Sequence, residues 1–299
     1  MPGDQPLMVL SDSTRIIDYE SMELVDGSKL WAWNGSLYLV DANFSGLVRF
    51  DRDGRFLNTV GNGRGDGPGE LRQLFDVTFS AELVFLYDPN AHRIVDFLPD
   101  GTLLRSRTVD DLGLQHVALD TDVVLTTLMK RQLFTFVDTT GAEIQSMEHP
   151  VQDVTKNQLG LAGRLAPISD TRWLYSPDVL PFWSVVDRYE GVILTVDTDD
   201  GRTMDHVLNA PETNGNAIRF PASDIRAGSA WVQSGKVFLR LEDRSDPDAR
   251  RAWLDIYALD DGTYLGQVPI PYGYAALDGQ DLFISSETGV DRWRLSAVE

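Results

Sequence analysis

The sequence predicts an all-β chain folded as a six-bladed propeller of four-stranded blades, closed by an N-terminal strand that completes the last blade. Three observations carry this. Helical periodicity is scarce. Short β-rich runs joined by Asp-Gly turns recur along the chain. The last such unit lacks a fourth strand, while the N-terminal region holds a spare one.

The repeat is clearest in its first two copies. Leu37–Asp41, Leu47–Asp51, the turn at Asp53-Gly54 and Arg55–Val60 are followed by Leu83–Asp88, Arg93–Phe97, the turn at Asp100-Gly101 and Thr102–Val109. Weaker copies hold Val123–Thr127 and Leu133–Val137 with Thr140-Gly141, and Arg172–Tyr175 and Gly191–Val196 with Asp200-Gly201. A further copy holds Lys236–Arg240 and Trp253–Tyr257 with Asp261-Gly262, and the last holds Asp281–Ser285 and Gly289–Leu295. Asp-Gly between two β-rich runs marks a hairpin, because the turn needs positive φ and Gly supplies it without steric cost. The turn glycines at 54, 101, 141, 201 and 262 are spaced by 47, 40, 60 and 61 residues. A period of about 40–50 residues with several strands per unit is the signature of a propeller array. The Asp-Gly turn then joins the third and fourth strands of a blade. Thr14–Tyr19 is the spare run that supplies the missing outer strand, which removes an edge prone to aggregation. The expected organisation is one domain over residues 1–299, with 1–13 as a poorly ordered extension.

Composition excludes several function classes. Lys and Arg number 26 and Asp and Glu 46, a net charge of −20. That surface repels phosphate backbones, whose binding relies on Lys and Arg, so nucleic acid is not an expected partner. The acidity favours solubility and a cationic partner. The chain has no Cys, which removes disulfides, thiolate catalysis and Cys-ligated metal. Met1–Pro6 lacks a basic and apolar leader, and the apolar stretch near 179–186 is too short to span a bilayer and contains Pro181.

Gly61-Asn-Gly-Arg-Gly-Asp-Gly-Pro-Gly-Glu70 follows an outer strand and precedes Phe75–Phe79. It resembles the Gly-rich connector of bacterial six-bladed propellers of the NHL and TolB-like kind, and the likeness extends over the first two blades. The resemblance implies the fold. Such families include enzymes, receptors and scaffolds, so it leaves function open. With the absent Cys, it points towards the cell envelope, in the periplasm or outside the cell.

Propeller geometry converts loop length into a map. The long connections at 61–74, 176–190, 205–229 and 242–251 are expected on one rim, and functional residues concentrate on long loops held by a rigid scaffold. These loops carry Arg64, Arg72, Phe182, Trp183, Arg188, Tyr189 and Arg226, with Arg164 also near a connector end. Trp, Tyr and Arg are the types enriched at interaction hot spots. The competing reading packs the aromatics between blades and pairs the arginines with the abundant carboxylates.

Other motifs carry less. Gly61–Glu70 lacks the Gly-Lys-Ser/Thr ending of a phosphate-binding loop, and no helix follows it. Asp197–Gly201 lacks the length and terminal Glu of a calcium loop. The four His residues at 92, 116, 149 and 206 have no metal-ligand spacing. His116, near the start of an inner strand, is the candidate for a central channel. No cofactor motif is present. A channel Ca or Zn ion would draw ligands from several blades, which sequence spacing does not test. The expected function is a non-catalytic interaction or assembly subunit that binds a protein partner through the long-loop rim. The alternatives are a metal-dependent hydrolase or lactonase, and a small-ligand receptor.

Overall fold

The computed structural model describes residues 8–20, 24, 29–40, 45–80, 82–109, 113–119, 122–127, 132–148, 163–178, 180–198, 225–246 and 250–297. They form six four-stranded antiparallel sheets, the count and connectivity of a six-bladed β-propeller. The first strand, β1 (Met8–Asp18), leaves its neighbours in sequence and pairs with the last. The first blade is β2 (Leu30–Trp33), β3 (Ser36–Val40), β4 (Leu47–Asp51) and β5 (Phe56–Val60). The second is β6 (Asp76–Phe79), β7 (Val84–Asp88), β8 (Arg93–Phe97) and β9 (Leu103–Thr108). The third is β10 (Gly113–Leu119), β11 (Asp122–Thr127), β12 (Gln132–Val137) and β13 (Glu143–Glu148). The fourth is β14 (Gly163–Pro167), β15 (Arg172–Pro177), β16 (Phe182–Asp187) and β17 (Gly191–Asp197). The fifth is β18 (Ile225–Gln233), β19 (Lys236–Asp243), β20 (Arg251–Ala258) and β21 (Tyr264–Ile270). The sixth is β22 (Tyr274–Asp278), β23 (Asp281–Ser285) and β24 (Gly289–Ala297), ordered β1-β24-β23-β22.

The chain divides into two compact units. One comprises Met1–Asp111, Thr139–Ala142 and Leu265–Glu299, and the other Leu112–Asp138 and Glu143–Tyr264. In the first unit, one core gathers Ile17, Tyr19, Leu39, Phe50, Phe283 and Val290, and another gathers Tyr38, Leu71, Leu74, Leu86 and Phe97. In the second unit, Phe134, Phe136, Trp173, Tyr175 and Phe182 form a core of edge-to-face rings, and Trp183, Leu239 and Tyr257 anchor another.

The closing strand lies where the spare run Thr14–Tyr19 predicts, and it begins earlier. Residues 8–13, expected within a loose extension, pair with β24 from Met8 opposite Ala297 onward. Their apolar Met8-Val9-Leu10 finds backbone partners in Leu295–Ala297.

The turn glycines have a second reason beyond φ. In the first unit each seats on the outer strand of the preceding sheet. A Cβ on Gly54 would lie 1.9 Å from the Ile16 carbonyl oxygen, on Gly101 2.4 Å from that of Thr59, and on Gly141 2.0 Å from that of Thr108. After the third–fourth turn a bulge follows in four blades. The register skips Leu57, Leu104, Ile144 and Ile193, which the bulge turns outward at 40–45% exposure. These exposed aliphatic residues therefore mark a repeated backbone position.

Blade four corrects the sequence reading. Its third strand is β16, and residues 176–190 are not one long loop. The third–fourth turn is Arg188-Tyr189-Glu190 before Gly191, whose φ is +82°. Asp200-Gly201, assigned to that turn from sequence, lies outside the described residues. The physical reason is burial on both faces. Phe182 and Val186 enter one core while Trp183 and Val185 enter the other. Such a strand reads as a continuous apolar run without alternation. Asp187 fastens the turn: its carboxylate accepts from Tyr189 N at 2.8 Å, Glu190 N at 3.2 Å and Arg172 Nε at 2.9 Å. The Arg172 hydrogen bond, helped by these backbone donors and opposed by desolvation, lowers the Asp187 pKa to about 2.

Two outcomes follow. Gly54 and Gly35 both have positive φ, but a Cβ on Gly35 meets nothing within 4 Å. Gly54→Ala should therefore cost about 2 kcal/mol more than Gly35→Ala; equal losses in urea denaturation would show that the seat on Ile16 yields freely. A carboxylate whose pKa falls on folding stabilises the fold above its unfolded value, and that contribution is lost as pH falls through the folded value. Asp187→Asn should lose stability above about pH 4, with the gap to the parent closing as pH falls through about 2. A gap of constant size down to that pH contradicts the assigned role.

Candidate functional site

The connector between β5 and β6, in the first unit, brings two of the expected residues together. Its glycines let the chain double back on itself. Asn62 N donates to Gly69 O at 3.0 Å, Leu71 N to Gly63 O at 2.9 Å and Gly65 N to Leu71 O at 3.2 Å. Arg64 and Leu71 form a parallel bridge. The Glu70 carboxylate folds under the loop and accepts from Gly67 N at 2.8 Å, and a Cβ on Gly65 would lie 2.1 Å from Glu70 Oε2. Leu71 and Leu74 are buried and fix the end of the loop in the core.

The loop is also held from below. Arg93, from β8, donates to the carbonyl oxygens of Gly65, at 3.1 Å, and Glu70. Asp88, fully buried at the end of β7, accepts from Arg72 N at 2.6 Å. Its other oxygen accepts from Ala91 N at 3.1 Å and so caps the 3-10 turn Pro89–Ala91. Several backbone groups of the connector are thus held from within, while the Arg64 and Arg72 side chains are exposed.

Outward, Arg64, Gly65, Arg72 and Asn90 line an open depression of about 530 Å³. Arg64 is exposed and has no ion pair among the described residues. Arg72 pairs with Asp66 through Nε at 2.5 Å and Nη2 at 3.1 Å, and donates from Nη1 to Asn90 O at 3.2 Å. This pairing lowers the Asp66 pKa and raises that of Arg72, chiefly through the hydrogen bond itself. Asn90 donates to Gln73 Oε1 at 2.8 Å. The chemistry on offer is planar guanidinium recognition of carboxylates, which Arg provides in a bidentate geometry.

The other expected residues lie in the second unit and do not form one site. Phe182 and Trp183 are 2% and 0% exposed. Their rings are spent on core packing and present no surface to a partner. Arg188 and Tyr189 occupy the β16–β17 turn, at the opposite end of β16 from Phe182. Arg188 is committed to Asp122 at 2.9 Å and stacks 5.1 Å above Phe136, while Tyr189 is 76% exposed. Arg226 lies on β18 opposite Glu242. His116 lies on β10 opposite Leu125, and β10 is an edge strand of its sheet. Among the described residues no three His, Asp or Glu side chains converge as a metal-binding group. Nor does any helix among them have the length and apolarity to cross a membrane.

Sequence reasoning missed Asp66, Glu70, Asn90 and Arg93, which shape the connector. Asp88-Pro89-Asn90 does carry a local signal, since Asp before Pro is a capping and turn-initiating pattern. The inward reach of Arg93 has no such signature.

Comparison with known proteins gives the fold a wider setting. A family model described as a 6-bladed beta-propeller, DUF5128, matches residues 19–147. A member of the DUF4221 family from Bacteroides vulgatus is similar with a TM-score of 0.68 at 12% identity, covering 99% of this chain and 100% of that one. A Bacteroides fragilis protein named as a candidate exported protein is similar with a TM-score of 0.67 at 13% identity, over 99% and 98% of the two chains. The PQQ-bound aldose sugar dehydrogenase of Streptomyces coelicolor is similar with a TM-score of 0.53 at 13% identity, over 99% and 100%. A comparison with curated proteins found no match. At these identities the structural likenesses show the fold alone. The chain is a six-bladed β-propeller, and its marked likenesses are to bacterial six-bladed propellers.

Proposed function

We propose that this chain is a non-catalytic interaction subunit that docks a protein partner through the face of the β5–β6 connector. One observation carries the reading: the connector is pinned from within by Arg93, Glu70 and Asp88 while it directs Arg64 and Arg72 to an open depression. A loop already ordered loses little conformational entropy on binding. An open, polar, arginine-bearing surface suits a protein contact better than an enclosed small-molecule pocket does, since the latter are concave and mostly apolar. The name of the Bacteroides fragilis likeness supports an extracytoplasmic setting for the partner.

Site-specific photo-crosslinking tests this. A photoreactive residue at position 64 should give one discrete adduct with a partner polypeptide in cells of the source organism, and Arg72→Glu should abolish it. The same probe at Val9, exposed on β1, should give none. Equal labelling from both positions, or no adduct from position 64, rejects the connector as the docking face.

A further inference from the structure

The connector carries a carboxylate of its own against one of its two outward arginines. Asp66 is exposed and accepts from Arg72 Nε at 2.5 Å and Nη2 at 3.1 Å. Its two oxygens thus meet the two donors of one guanidinium edge, the fork that Arg offers to a planar carboxylate. The neighbouring carboxylates are spent elsewhere. Glu70 accepts from Gly67 N, and the buried Asp88 accepts from Arg72 N and Ala91 N.

Arg72 does not rely on Asp66 for its position. Its backbone N is held by Asp88 at 2.6 Å, and its Nη1 donates to Asn90 O at 3.2 Å. The Asp66 backbone is held too, since its carbonyl oxygen accepts from Arg93 Nη1 at 3.5 Å. Rotation of the Asp66 side chain is therefore enough to free the guanidinium edge. The side chains of Arg72 and Asp66 are 54% and 66% exposed. An ion pair so open to water holds weakly, and parting it leaves neither charge buried. Arg64 reaches the same depression from the adjoining segment, because it bridges Leu71, the residue before Arg72. Arg64 has no ion pair among the described residues. Two guanidiniums thus line the depression, and one carboxylate among the described residues pairs with them.

We infer that the depression takes one carboxylate of the partner, bound jointly by Arg64 and Arg72, and that Asp66 is the built-in competitor it displaces from Arg72. The partner is the one proposed above to dock at the connector, a reading on which this inference rests. Asp66 then sets how tightly that partner is held.

Heteronuclear NMR of the whole chain, read at the Nε–H signals of Arg64 and Arg72, tests this. Physiological salt is used, where repulsion by the net charge of −20 is screened beyond about 8 Å. N-acetyl aspartyl amide, a probe with one carboxylate, should shift both signals saturably, and the uncharged asparaginyl amide should shift neither. Asp66→Asn should tighten the aspartyl probe about threefold, the worth of an exposed ion pair. Arg64→Gln, read at Arg72, should weaken it about tenfold, the worth of one charged hydrogen bond. Arg55→Gln, on the exposed β4–β5 turn, should leave it unchanged. Positions 55, 64 and 66 are all exposed, so these variants alter binding and spare the fold. No saturable shift in Asp66→Asn, equal affinity in Asp66→Asn and the parent, or tighter binding of inorganic phosphate than of the aspartyl probe overturns the inference. An equal loss in Arg55→Gln does so as well, because it would reduce the effect to general charge. A crosslinked adduct from position 64 without carboxylate binding keeps the docking face and rejects the competitor. Carboxylate binding without an adduct rejects the docking face, and with it the partner as source of the carboxylate.

Discussion

The pairing of β1 with β24 is the constraint on which the first unit depends. It joins residues such as Arg15 and Asp291, 276 positions apart, whose ion pair closes at 2.7 Å. That pair is half exposed and contributes little by itself. The weight falls on the backbone ladder and on what it buries. Ile17 and Tyr19 enter the core beside Phe50 and Phe283, and the Tyr19 hydroxyl meets Ser285 Oγ at 2.5 Å. Closure also prepares the first seat in a series. The Ile16 carbonyl on β1 receives the Gly54 turn, the Thr59 carbonyl on β5 receives the Gly101 turn, and the Thr108 carbonyl on β9 receives the Gly141 turn. Within the first unit these three turns thus each rest on a carbonyl of the outer strand before them. Pairing over such sequence distance must meet its loop-closure entropy before it is rewarded.

The same seats explain why so much of the fold was legible in the sequence. A turn that needs both positive φ and the absence of a Cβ admits only Gly, so Gly54, Gly101 and Gly141 register the repeat sharply. Where the seat loosens, the signal fails. A Cβ on Gly191 would come no closer than 3.9 Å to the Met147 side chain. The segment before it, Arg188-Tyr189-Glu190, carries no Asp-Gly, because Asp187 performs the turn-fastening from the end of the strand. The nearest Asp-Gly therefore falls at residues 200–201, which makes the β16 segment read as a loop. The bulged positions were illegible for another reason. Leu57, Leu104, Ile144 and Ile193 read as core residues of alternating strands, and only the register slip reverses their direction.

The candidate site was legible in part. Arg64 and Arg72 are legible as arginines on a long connector, and both line the same depression. Phe182 and Trp183 were misplaced because residue type alone does not distinguish a hot-spot aromatic from a core one. Their positions on a strand buried on both faces decide it. Arg188 shows the same ambiguity for a cation. Its guanidinium is used to tie Asp122 and the Phe136 ring within the second unit.

Most described arginines of the first unit serve internal purposes of this kind. Arg49 donates to Pro99 O at 3.1 Å, Arg52 to Asp278 O at 2.7 Å, and Arg93 to Gly65 O at 3.1 Å. Arg107 is wholly buried against Asp96 at 2.6 Å, where the desolvation of both charges offsets much of their attraction. Among the described arginines of the first unit most are thus consumed in fixing turns and sheets, whereas Arg64 faces solvent. This separates two roles of charge. The net charge of −20 acts over roughly a Debye length, about 8 Å at physiological salt, and governs which molecules approach. Contact at an arginine held by an ordered backbone acts over a single hydrogen bond and, on the proposed function, would govern which of them dock. A partner suited to both would be basic overall, yet would present a carboxylate at the point of contact.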